Sequence, residues 1–132
     1  MLSDDIKEAR TIWPGVRNLI DYLLRCKMDY IIEGVHLLPS LAKRYKENKN
    51  VKIIFLSKFN ENKIYKGLLN NKNNNDWITD NLKNKNIISA AAKSLCVYGA
   101  YFKRETKKNG LMLINREDDF NNSLNDIANN IV

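Results

Sequence analysis

Tyr30-Ile31-Ile32-Glu33-Gly34-Val35 is a short apolar run closed by a carboxylate and a glycine. Such a run predicts a fully buried parallel strand that feeds a loop at its carboxyl end. Working outward, Val51-Lys52-Ile53-Ile54-Phe55-Leu56 repeats the pattern and predicts a second core strand, with Ser57, Lys58 and Asn60 in the loop beyond it. Leu111 to Ile114 predicts a third, shorter strand.

The segments between these runs have helical spacing. Ser3, Asp4 and Asp5 make a helix start, because a hydroxyl accepts from early backbone N–H groups and carboxylates favour the positive end of the helix dipole. That helix is expected to reach about Trp13 and to renew or kink at Pro14. Val16, Leu19, Ile20, Leu23 and Leu24 then recur on one face, opposite Arg17, Asn18, Asp21 and Arg25. Pro39 to Asn50 is helical in composition, with Leu38, Leu41, Ala42 and Tyr45 inward, and Glu61 to Leu69 follows through Ile64, Leu68 and Leu69. The Asn70 to Asn75 tract is polar, low in complexity and expected to be a mobile loop. A long helix from about Asn86 to Asn109 places Ile87, Ala91, Leu95, Tyr98 and Phe102 inward, with Gly110 as its left-handed stop. Phe120 through Val132 predicts a closing helix with Leu124, Ile127 and Ile131 inward. Alternating helix and buried strand argues for an α/β fold with parallel strands joined by crossovers.

The 132 residues suit one domain, 1–132, with 44% apolar and 28% charged residues, so a packed core and not disorder is expected. A net charge of +7 raises nucleic acid, a membrane surface or an anionic small molecule as partners. The lysines are scattered among many Asn and Ile residues, and no Lys/Arg block appears, which favours a solvated basic surface over a nucleic-acid stripe. Cys26 and Cys96 are far apart and His36 is the sole histidine, a composition that suggests neither a zinc cluster nor a disulfide framework. The acidic, polar start is unlike a signal peptide, and no apolar run approaches the about 20 residues of a membrane span. A cytoplasmic location without membrane contact is the expectation.

Three stretches form a familiar order: Ile12-Trp13-Pro14-Gly15 before an amphipathic helix, Asp29-Tyr30-Ile31-Ile32-Glu33-Gly34-Val35-His36-Leu37-Leu38-Pro39, and Asn75-Asp76-Trp77-Ile78 after a basic helix. This order resembles the P-loop kinases of the 2-phosphoglycerate kinase and zeta-toxin-like type, in which the middle stretch is a Walker B-like strand. The resemblance spans most of the chain and implies transfer of the ATP γ-phosphoryl group, with magnesium, to a small anionic acceptor. Such chemistry rests on positioning and charge neutralisation around the phosphates. By resemblance Glu33 is the strand-end carboxylate that orders magnesium-bound water, although a carboxylate there also caps the following turn. Asp4 and Asp5 match an acidic pair beside the acceptor, with Asp5 as a catalytic candidate, and equally serve as helix-start charges. Arg10 and Arg17 flank the Trp-Pro-Gly turn as acceptor-binding candidates, and His36 is a further one unless it is an ordinary loop residue. Lys63 and Lys66, with Lys72, take the place of the arginines that lids of this type use, and a lysine is a point charge and not a bidentate clamp.

The phosphate-binding loop is missing from this chain. G-x-x-x-x-G-K-S/T lets backbone N–H groups wrap the phosphates, yet Gly15, Gly34, Gly67, Gly99 and Gly110 include no pair five apart and no Gly-Lys. In the family's parallel sheet the strand that carries this loop lies between those matching Tyr30 to Gly34 and Val51 to Leu56. The expected fold is therefore a reduced three-stranded parallel sheet flanked by helices, a partial P-loop fold, with a homodimer or a separate N-terminal fragment closing the gap. The corresponding function is a truncated phosphotransferase, inactive alone and binding neither ATP nor magnesium tightly. The rival is a non-catalytic interaction module that uses its basic surface to bind a protein or nucleic acid.

Overall fold

The computed structural model describes residues 2–70 and 84–117, together with 122, 125 and 127–129. In chain order the elements are helix α1 (Leu2–Cys26), the one-turn helix α2 (Pro39–Ala42) with a 3-10 extension over Lys43–Tyr45, strand β1 (Ile54–Ser57), helix α3 (Glu61–Asn70), helix α4 (Lys85–Asn109) and strand β2 (Met112–Asn115). The architecture is mixed α/β and mostly helical. The two strands among the described residues run parallel, with Ile54 opposite Met112 and Ser57 opposite Asn115, and the stretch of chain that holds α3 and α4 connects them. Asn70, expected to open a loop, is the last residue of α3, and residues 71–75 of that loop, Lys72 among them, lie outside the described residues, as do the Asp76-Trp77 element and most of the expected closing helix.

The first expected strand is not formed, and this corrects the three-stranded sheet to a pair. Residues 28–34 have no regular secondary structure, and Ile31 is 89% and Val35 80% exposed. A strand is stabilised by neighbours that take up its N–H and C=O groups. This segment pairs with neither β1 nor β2 among the described residues.

α1 runs through Pro14 without a break. The proline ring removes one helix N–H donor and crowds the carbonyl four residues back. The helix ends at Lys27, whose φ of 52° is left-handed. Its expected second-half stripe is only partly covered: Leu19 stays exposed, and the one fully buried α1 residue is Ala9. Ala9 joins Leu38 and Tyr101 in a core cluster, with Leu2, Ile6, Leu41 and Phe102 packed against it. Farther along, the Tyr45 hydroxyl donates to Asp21 Oδ1 at 2.7 Å and Trp13 meets the Tyr45 ring edge-on at 6.5 Å. Burial, and then the Asp21 carboxylate, push the Tyr45 hydroxyl up to about 12.

The helix expected over Pro39 to Asn50 stops after two short turns. Asn48 Oδ1 accepts from the Asn50 N–H at 2.9 Å, a local bond that competes with helix continuation.

α4 is the spine of the molecule, packing against α3, α2 and both strands. Asn84 caps its start by accepting from Asn86 N–H at 2.9 Å. Gly110, at φ 62° and ψ 41°, ends it as its sequence position predicts. The buried residues are Ile88, Ala92, Gly99, Tyr101 and Thr106, whereas Ile87 and Leu95 from the expected stripe are exposed. Periodicity does not discriminate between two adjacent stripes of one helix. Gly99 does: a Cβ there would lie 2.2 Å from the Lys58 carbonyl oxygen, so the helix backbone rests directly on the chain leaving β1. Cys96 Sγ donates to the Phe59 carbonyl at 2.9 Å in the same contact.

Candidate functional site

Two anchored segments meet at the start of α1. In the loop that follows Glu33, Leu37 N–H donates to the Gly34 carbonyl at 3.1 Å and Leu38 N–H to the His36 carbonyl at 3.0 Å. Leu38 and Pro39 are buried immediately afterwards. The turn is thereby pinned at its exit, and His36 is set over the helix. On α1, Asp5 and Glu8 are three residues apart and share a face.

His36 Nε2 lies 3.3 Å from Glu8 Oε2. One ligand atom from each of Asp5, Glu8 and His36 lies within 4.8 Å of the others. Asp5 and His36 are half-buried and Glu8 is exposed, so the cluster is a shallow surface site open to small ions. Among the described residues neither carboxylate forms an ion pair with a lysine or arginine, while the adjacent Asp4 faces Lys7 at 3.9 Å. Two carboxylates with no lysine or arginine ion-paired to them among the described residues repel an anionic acceptor and attract a cation.

The other expected site residues are dispersed. Glu33 is exposed and outside the cluster. Arg10 is exposed on α1; burial, and then the Glu105 charge, hold the Tyr101 phenol above its ordinary value, with Arg10 among the weaker opposing charges. Arg17 is half-buried and offers its carbonyl to the Tyr45 hydroxyl at 3.3 Å. Lys63 and Lys66 lie exposed on α3. Thus Asp5 and His36 come together, joined by Glu8, which the sequence reading did not select. Its spacing three residues after Asp5 on a helix was the available signal.

A second unanticipated residue acts at the carboxyl ends of the strands. Glu117, just beyond β2, accepts from Phe59 N–H at 2.5 Å and from Asn60 N–H at 2.6 Å with the same oxygen. These amides lead into α3, whose first turn is also capped by Asn60 Oδ1, accepting from Lys63 N–H at 3.1 Å. The Phe59 amide, then the Asn60 amide and more distantly the Lys63 charge, hold the Glu117 carboxyl below its ordinary value of 4.5 against a smaller opposing effect of burial. No sequence pattern announced this contact, since the partners are 58 and 57 residues apart.

At the opposite end of the sheet, Lys46, Lys49 and Lys52 line an open groove with Gly110 and Met112. This groove lies at the amino ends of the strands, whereas ligands of open α/β sheets bind at the carboxyl ends. No family model, no curated protein and no solved structure matches this chain. No helix among the described residues is long and apolar enough to cross a membrane.

Proposed function

We propose that this chain is the later part of a P-loop-type small-molecule phosphotransferase, lacking the phosphate-binding strand and loop and inactive without them. The observation that supports the reading is the segment at 28–34: strand-forming residues lie exposed and without ladder partners among the described residues, in a chain whose β1 and β2 pair in parallel. Removal of the central strand, the one on which both would lean, leaves this arrangement. In sequence Glu33 closes the 30–33 run where the family has its acidic strand end, and Lys63 and Lys66 lie on the helix after β1. ATP and magnesium belong to this reading only with the missing loop present, because nothing in this chain supplies a nest of backbone amides between glycines.

Calorimetric titration with magnesium ATP tests it. The chain alone is expected to show no tight binding, and tight magnesium-dependent binding overturns the reading. Adding a strand, G-x-x-x-x-G-K-S/T loop and helix from a kinase of this type is expected to protect the amides of residues 30–34 from hydrogen exchange and to restore phosphoryl transfer that Glu33→Gln abolishes.

The exposed Met28, Ile31 and Val35 also favour a second reading, a non-catalytic module whose protein partner, a second copy included, covers this apolar strip. In that case the strip gains protection with the partner and no ATP-dependent activity follows. A salt-dependent mobility shift with DNA or RNA would instead assign the basic surface to nucleic acid.

A further inference from the structure

The geometry points to a divalent transition-metal site formed by Asp5, Glu8 and His36, independent of the phosphotransferase reading and separate from Glu33, where the resemblance implies magnesium. The donor set is two carboxylates and one imidazole, a mixed oxygen and nitrogen set that suits zinc, manganese or cobalt better than magnesium or calcium, which prefer oxygen alone.

The helix contributes two donors one turn apart, and the pinned 34–38 turn contributes the third from a distant part of the chain. Donors around a metal at about 2.0–2.2 Å are separated by about 3.0–3.5 Å. The His36–Glu8 distance of 3.3 Å already meets that requirement, and the wider spread of up to 4.8 Å closes by rotation of side chains that are at most half-buried. Electrostatics act in the same direction. Like charges at this helical spacing destabilise a helix, and no lysine or arginine among the described residues forms an ion pair with Asp5 or Glu8. A bound cation would offset both at once.

On binding, the Nε2 proton that His36 offers to Glu8 leaves, to solvent from the imidazolium or by transfer to Nδ1 in the neutral ring. The freed Nε2 lone pair takes the metal while each carboxylate gives one oxygen. Three protein donors leave the remaining positions to water. The metal would tie the start of α1 to the loop before α2, two parts of the chain otherwise joined there by side-chain packing around Ala9 and Leu38.

Because His36 is the sole histidine, one imidazole signal reports on the site. Titration of the full chain with zinc chloride, followed by NMR of that imidazole and by calorimetry, is expected to show one equivalent bound and a shifted signal, with manganese broadening the same signal and magnesium leaving it unchanged. Asp5→Asn and Glu8→Gln are each expected to weaken binding about tenfold or more, and His36→Asn to abolish it. A double Cys26→Ser, Cys96→Ser variant removes the thiols as competing ligands and is expected to retain the site. An imidazole signal unmoved by zinc overturns the inference, as does binding that survives both carboxylate substitutions undiminished. Should a variant fail to fold, the imidazole titration of the unaltered chain decides the matter alone.

Discussion

Glu117 shows how one side chain joins distant parts of this molecule. Its carboxylate holds the amides of Phe59 and Asn60 where the chain turns from β1 into α3, and the backbone hydrogen bonds that hold its pKa low favour the ionised form. A carboxyl whose folded-state pKa lies below its ordinary 4.5 contributes stability that is present above that value and lost as pH falls through the folded one. Replacement by glutamine is therefore expected to lower the melting temperature near neutral pH and to reduce its further fall between about pH 5 and about pH 3. Thermal melts of both proteins across that range check this, and parallel acid limbs would show that the charge has no part in stability. The burden on Glu117 was illegible in the sequence because its partners are backbone amides, which every residue but proline carries. Asp5 and His36 were legible as chemistry-bearing residue types, but their meeting required the placement of the turn above α1.

At the scale of elements, α4 and Gly99 decide how closely helix and sheet approach. The helix was readable from periodicity, and its end from Gly110, since only glycine adopts a left-handed φ at little cost. Its rotation was not readable, because Ile87 and Leu95 make as good a stripe on paper as Ile88 and Ala92 do in the fold. The contact of Gly99 with Lys58 selects between them. Gly99→Ala forces a methyl group against a backbone carbonyl, a neighbour that cannot swing away, and is expected to cost about 1–3 kcal/mol. Urea denaturation checks this, and a loss no larger than that of alanine at an exposed α4 position would show that the approach is loose.

At the scale of the whole molecule, the consequential feature is the difference between residues 28–35 and the core. Ile31 has the side chain of a core strand and the exposure of a loop. In the isolated chain Ile31→Thr is expected to change stability by less than about 0.5 kcal/mol, whereas Ile64→Ala, at a 5%-exposed position, is expected to cost about 2–5 kcal/mol. Comparable losses in denaturation of the two variants would mean that residues 28–35 are covered in solution.

The sequence by itself determined the local structure: α1, α3 and α4, the β1 and β2 runs, and the glycine stop at 110. These follow from periodicity and from the backbone freedom of single residues, which operate over a few neighbours. Tertiary structure alone decided that the 30–35 run stays unpaired, which face α4 buries, and that Glu8 meets His36. A strand, a buried face and a ligand cluster exist only relative to atoms far away in the chain, and no local pattern specifies that those atoms will be present.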